Sequence, residues 1–598
     1  MNDGTINATP NPWYVSHCSP LLDENGNYQR NVETTRFFGS IYADISPIKG
    51  LSIKSQFTLD RSDVRDGSYQ DFESQSRWQS GQTSIISNAR SSQTKYVWQN
   101  TANFNKVIGR HDFTFLLGHE MMQSVKESLE ISGSAGADHF NKSSFYDVTK
   151  IENPNKSSSY TKASMISFFS RLNYSFKDKY LFQASIRADG ASVLADGHKW
   201  GYFPSVSAGW RISEENFMHS SKSWLDNLKL RVSFGLSGNA AIDAYQTLAY
   251  ISSIVPNSTE KAPMTMAAPE LTWEKTTALD FGIDFSMFNG RIYGSIDYYK
   301  SHTYDLLYYR TAPPSSVFTS TLANVGKTKG HGWEVSIGLL PVKTKNFTWD
   351  IGASATFSRD YVEELTGNLQ EYINGIDILR IGEPVSAYYT YKVDGCWNIG
   401  EFDEYMREHP NFIKPFATYG TPGTSKAIDV NNDNKINEDD KVIYNRSPKA
   451  IIGLSTSLTY KDFSISIMTM ARLGWYLSYD GYKLFRYDDA NWGDISYWTP
   501  ENTGALIPSP GATSNQMYFA NAIWMQKGDY FKIKDITLSY NLPKALLKPA
   551  FMSSARVYFS LKNYFTFSHF DNNYDPERGG SVDFPIMKQA VIGVNLTF

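Results

Sequence analysis

A chain of 598 residues with 41% hydrophobic and 20% charged residues has the balance of an ordinary water-soluble protein, and its mean hydropathy is −0.40. A formal charge of −4 excludes the basic footprint of a nucleic-acid binder, the two cysteines (Cys18 and Cys396) exclude a disulfide framework, and no stretch reaches the ~18 apolar residues of a membrane helix. The outlier is an aromatic content of 15%, with 38 Tyr, 36 Phe and 14 Trp, residue types favoured in strands and at membrane interfaces.

The amino end, "MNDGTINATPNPW", has neither the basic nor the apolar region of a signal peptide, so the chain either stays in the cytoplasm or lacks its true beginning. Residues 1–34 read as an extracellular loop segment and 35–598 as a barrel. Strand after strand then alternates with period two. In "FQASIRAD", Phe182, Ala184, Ile186 and Ala188 oppose Gln183, Ser185, Arg187 and Asp189. In "LKLRVSFGLS", Leu228, Leu230, Val232, Phe234 and Leu236 oppose Lys229, Arg231, Ser233, Gly235 and Ser237. "LDFGIDFSM" (279–287) and "FTWDIGASATFS" (347–358) repeat the pattern. In "YFKIKDITLSY", Phe531 and Ile533 fall out of phase with Ile536, Leu538 and Tyr540, so a bulge near Lys534–Asp535 is expected. The chain ends on "AVIGVNLTF", with Ala590, Ile592, Val594, Leu596 and Phe598 on one face.

A soluble sandwich would also alternate. Three features separate this chain from one. Its runs reach about ten residues, enough for a tilted strand to cross a bilayer. Connections alternate between short ones ("KDK" 177–179, "NG" 289–290, "KTK" 343–345, "KD" 461–462) and long ones (61–93, 122–164, 361–449, 477–528). Rings flank the short turns, with Phe176 and Tyr180, Phe288 and Tyr293, and Tyr460 and Phe463, as in an interfacial girdle. The reading is an all-β antiparallel transmembrane barrel with strands starting near 35, 50, 94, 111, 165, 179, 202, 227, 276, 291, 331, 346, 451, 462, 529, 555 and 588. That odd number suits a chain that starts outside and finishes in the periplasm. "PVSAYYTYKVDGCW" (384–397) cannot cross by parity and belongs to the long external loop 361–449.

Particular residues go further. "RADGASVLADGHKWGYFPSVSAGWRISEENFM" (187–218) resembles the most recognisable stretch of the SusC/RagA family of TonB-dependent outer-membrane transporters. "WEKTTALDFGIDFSMFNGRIYGSIDYY" (273–299), "NVGKTKGHGWEVSIG" (324–338), "GEPVSAYYTYKVDGCW" (382–397), "DVNNDNKINEDDKVI" (429–443), "YWTPENT" (497–503), "DITLSYNLP" (535–543) and "YDPE" (574–577) follow in the family's order. The resemblance implies a partial barrel, about 17 of 22 strands, in the bacterial outer membrane. The signal peptide, TonB-interacting segment and plug of the family's amino-terminal part are missing from it. It implies import of an oligosaccharide or peptide ligand beneath a SusD-like lipoprotein, energised by TonB through that missing part, within a lipid bilayer and without nucleic acid. The alternative is a truncated remnant or ungated pore without active transport.

One constellation could hold a cofactor. In "DVNNDNKINEDD", Asp429, Asn431, Asp433, Asn437 and Asp440 occupy positions 1, 3, 5, 9 and 12 of a calcium loop, and Lys435 offers its carbonyl at position 7. Asn434 stands where Gly is usual and Asp440 where Glu is usual, so a structural calcium ion in an isolated loop is the expectation and a solvated acidic turn the plain alternative. No catalytic residue emerges. "HEMMQ" from His119 lacks the second zinc-binding His, "GKT" (326–328) has Thr321 where a phosphate loop needs Gly, and no G-x-S-x-G occurs. Arg187 and Asp189 read as lumen charges that fasten a plug. The aromatic loops "YDDANW" (487–492), "NWGDISYW" (491–498) and "FDNNYDPE" (570–577) suit either ligand stacking or loop packing.

Overall fold

Alternation alone decides the architecture. The computed structural model describes residues 20–24, 26–77, 83–135, 145–253, 261–311, 320–365, 369–483, 496–509, 516–547, 552–570, 574–582 and 584–598. Seventeen long strands form one antiparallel sheet, each beside its neighbours in chain order. They are β1 Tyr28–Ile48, β2 Leu51–Gln70, β3 Ile85–Ile108, β4 His111–Ala135, β5 Ile151–Phe176, β6 Tyr180–Ala191, β7 Trp200–Arg211, β8 Leu225–Asn239 and β9 Glu274–Met287, followed by β10 Ile292–Tyr304, β11 Lys327–Lys343, β12 Phe347–Glu364, β13 Ala450–Tyr460, β14 Phe463–Leu473, β15 Tyr530–Asn541, β16 Ser554–Ser568 and β17 Gln589–Thr597. Among the described residues β1 pairs only with β2 and β17 only with β16.

Residues directly opposite across antiparallel strands share a face. The row Phe57, Trp98, Met121, Ile166 is therefore one outward line, and the first three remain 41%, 46% and 43% exposed. Phe234, Phe281, Phe357 and Leu538 are likewise exposed on that face. The apolar rows do not meet in a dry centre; they coat the outside, as lipid requires. Buried apolar clusters lie instead at the end opposite the short turns, for example Tyr69, Ile86, Phe145 and Ile151.

The bulge falls where the alternation breaks. Ile533 pairs with Thr469 and Asp535 with Met468, which leaves Lys534 as the extra residue and returns Phe531, Ile533, Ile536, Leu538 and Tyr540 to one face. Residues 387–391 and 393–396 form short strands that pair with 441–445 and 425–427, outside the wall.

Two expectations change. The connections 61–93 and 122–164 are largely strand, because β2 to β5 run on past the apolar band. Out there the outward positions turn polar (Arg61, Asp63, Thr94, Ser92), so the alternation that marks a strand in lipid disappears while the ladder continues. For the same reason β1 begins at Tyr28. Tyr293 does not join the girdle: it opposes Ser286 and Gly338 on the inner face. The other flanking rings are outward. Phe176 and Tyr180 stack at 6.3 Å, Phe463 and Tyr540 at 4.4 Å, and Glu215 accepts hydrogen bonds from Tyr180 (2.7 Å) and Trp210 (3.1 Å) beside Lys179.

Candidate functional site

A hollow wall functions through its inner face, and there the polar halves of the alternating strands assemble networks. Arg231 of β8 reaches Asp284 at 3.1 Å, Asp280 at 3.3 Å and Asp297, while Lys229 lies 3.4 Å from Asp284. Gly282 makes this possible, since a Cβ there would overlap the Arg231 guanidinium and an Asp297 oxygen. The pair Arg187–Asp189 is present at 2.7 Å, joined by Glu120 (3.1 Å) and Ser167 (2.8 Å). With its donors so committed, Arg187 is a structural lumen charge. His119 lies on a strand, not a helix, and faces outward with Phe168, and "GKT" opens β11, so neither near-motif acquires a catalytic setting.

A third network was hidden in the sequence. Lys532, whose side chain has no exposed surface, is bonded to Asp575 and to Glu577 (2.8 Å), and Lys534 reaches both oxygens of Glu577 at 2.6 and 2.8 Å. Two residues apart, Lys532 and Lys534 share a parity, so the strand's alternation turns both inward, onto the same carboxylate. They clamp the "YDPE" turn, whose Asp575 also caps Glu577 N–H at 3.1 Å. Burial pushes Glu577 up, but the two ammonium groups more than reverse this and hold it below the usual carboxylate range. The only sequence signal was the shared parity of the two lysines, opposite Phe531 and Ile533.

Above the mouth, the loop 361–449 folds around its own core. Tyr391, Trp397, Phe402, Phe412, Tyr419, Ala427 and Ile436 pack with Phe519 and Ala522 of a helix, Gln516–Trp524, from a later loop. Trp397 meets Phe402 edge-on at 4.9 Å, and Lys426 joins Glu401 at 2.6 Å. Cys396 is buried nearby, and burial pushes its thiol up to about 12; Cys18 falls outside the described residues. Trp498 is buried and donates to Asn398 at 2.9 Å, and burial pushes the Tyr574 hydroxyl up to about 12, so these two rings pack loops together. Residues 487–492 lie outside the described residues.

The 429–440 loop sits on this core through Ile436. Asp429 accepts the N–H groups of Asp433 (3.2 Å) and Asn434 (2.8 Å), Asn431 accepts that of Asp433 (3.0 Å), and Asp433 accepts that of Lys435 (3.1 Å). Asp440, fully buried, closes the ring by accepting from Val430 and Asn437, both at 2.8 Å, and Asn437 accepts from Asp439 at 2.7 Å. Asn434 takes φ of +64°, the left-handed geometry its position needs. The winding suits a hard cation, although among the described residues no three His, Cys, Asp or Glu side chains converge as a metal cluster. Coordination would therefore lean on Asn431, Asn437 and the Lys435 carbonyl beside Asp429, Asp433 and Asp440.

Comparison with known proteins fits this geometry. Residues 2–564 match the family described as TonB dependent receptor-like, beta-barrel. The TonB-dependent receptor P26 of Formosa agariphila is 30% identical, covering 100% of this chain and 62% of its own length. The TonB-dependent receptor SusC of Bacteroides thetaiotaomicron is 29% identical over 82% of this chain and 49% of its own length. The structure of the RagAB peptide transporter has the same fold, with a TM-score of 0.79 at 22% identity over 96% of this chain and 63% of that one. The chain thus spans about 62% of P26 and about half of SusC.

Proposed function

Because the chain belongs to the TonB-dependent receptor β-barrel family, of the SusC/RagA type and located in the outer membrane, we propose that it forms the wall and external mouth of a nutrient importer. The cargo in this reading is an oligosaccharide or a peptide; RagAB is a peptide transporter and lends the peptide some weight. A SusD-like lipoprotein would cover the external module, and TonB would act through the part of the relatives that this chain does not span. No chemical catalysis is involved. The relatives are receptors, and the wall's polar groups are bound to one another.

The observation that carries the proposal is the division of the wall: apolar rows exposed outward, ion-paired polar rows inward, and a folded loop module at one end. The 429–440 loop then acts as a calcium-stiffened clamp on that module. Uptake of labelled oligosaccharide and peptide mixtures by cells carrying the intact protein tests the reading. Import should vanish when TonB is deleted. Import that persists without TonB would identify an ungated pore instead.

A further inference from the structure

Beyond transport, the geometry points to a binding site for the phosphates of an outer-leaflet glycolipid on the outside of β10, β11 and β12. The outward rings Tyr298, Trp333 and Phe357 stand in one lateral row across these strands. Tyr298 and Trp333 lie 4.9 Å apart, and Trp333 is half exposed. They mark the upper aromatic belt, where the apolar band ends. The next outward row, one step away from the short turns, is Lys300, His331 and Arg359. Above it come His302, Lys329 and Tyr361.

Height supports the assignment. Lys300 stands about eight residues above the short turn before Ile292. At ~3.3 Å per residue and a tilt of ~40° this is roughly 20 Å, close to the ~25 Å apolar band. Side chains at that level meet lipid head groups, not bulk solvent.

Charge supports it as well. Lys300 and Arg359 stand in one outward row, two strands apart, with His331 between them. Glu363 answers only the second row, taking His302 at 2.5 Å and Lys329 at 3.7 Å. Among the described residues Lys300 and Arg359 make no ion pair, and His331 stacks on Tyr361 at 5.9 Å. On the same strands the acids Asp297 and Glu334 oppose each other on the inner face. Cations thus stand outside and acids inside. On β2, by contrast, the outward Arg61, ten residues above the start of its strand, is held by Asp63 at 2.8 and 2.9 Å and is already neutralised. Adjacent strands are ~4.8 Å apart, so three heads in a row span about 10 Å, the reach of a phosphorylated sugar head group.

The test uses the intact protein in phosphatidylcholine nanodiscs carrying either phosphorylated lipid A or the same lipid with its phosphates removed. Native mass spectrometry counts the retained lipid. Each cation beside an anionic surface contributes about fivefold, so Lys300→Gln with Arg359→Gln should lower retention of phosphorylated lipid A by roughly 25-fold. Arg61→Gln should leave it unchanged, and heat-dependent gel mobility verifies the fold of each variant. Unchanged retention in the double variant overturns the site, as does equal retention of the phosphate-free lipid. Displacement of the lipid by excess inorganic phosphate would assign the cluster to free anions and overturn the glycolipid.

Discussion

Replacing Lys532 with Met removes an ammonium from a fully buried position while keeping most of the side chain's volume. The wild-type ammonium faces Asp575 and Glu577. After substitution Glu577 keeps Lys534, but among the described residues Asp575 retains only the Thr566 hydroxyl at 3.4 Å and the Glu577 N–H at 3.1 Å as side-chain partners. Breaking a buried ion pair on one side costs about 3–5 kcal/mol. Since both acids are partly exposed and one keeps a cation, about 3 kcal/mol is expected, all of it in the 574–582 turn. That raises the opening equilibrium of the turn roughly a hundredfold without melting the wall. Hydrogen exchange in detergent micelles reads this at the amides of Arg578, Gly579 and Gly580, which donate to Asp575 O, Pro576 O and Tyr574 Oη. Lys534→Met, leaving Lys532 on both acids, should speed the same amides by about fivefold or less. An equal or larger effect from Lys534→Met, or no change in either variant, would refute the clamp.

Three further outcomes follow from the same contacts. Gly282→Ala drives a methyl into the Arg231 guanidinium and should cost about 1–3 kcal/mol, seen as a lower temperature for the gel-mobility shift, with Gly504→Ala as an unhindered comparison. Because Glu577 titrates below the usual carboxylate value, its contribution is fully present at neutral pH and is lost as pH falls through that depressed value. Exchange protection of the turn should hold from pH 7 to 5 and fail only below about 4.5. Calcium removal with a chelator should expose 429–440 to protease in the wild type, and Asp440→Ala should be sensitive at any calcium level. If chelation changes nothing, the loop is held by its own hydrogen bonds alone.

All seventeen strands could be located in the sequence because lipid outside and water inside impose opposite demands on alternate residues. Even the bulge at Lys534 announced itself, since two parities cannot both face lipid. Legibility ended where lipid ended. Above the apolar band β2 to β5 continue on charge pairs such as Arg36–Asp60 and Arg65–Glu33, whose partners are remote in sequence and leave no period. Tyr293 deceived for a related reason: a ring next to a short turn suits the girdle, but only register tells that it faces Gly338. The calcium-type residues were found by spacing, and their ring of hydrogen bonds is present. The Lys532 clamp was not found, because its acids lie 43 and 45 residues away.

The clamp and the external module show how one chain serves two solvents. The wall has no dry core to spare for holding loops, since its apolar side is committed to lipid. Each loop must therefore bring its own core or borrow the polar face. The 361–449 loop brings one, Trp397, Phe402 and Tyr419 packed edge to face. The 574–582 turn is too short for that and borrows Lys532 and Lys534, the second of them the extra residue of the bulge. Deleting Lys534 would make the pairing with β14 regular and keep Ile536, Leu538 and Tyr540 on the lipid face, while leaving Lys532 as the turn's single cation. The turn would loosen only as far as in Lys534→Met while the wall kept its alternation, so the extra residue is retained by the loop's demand, not by the wall's.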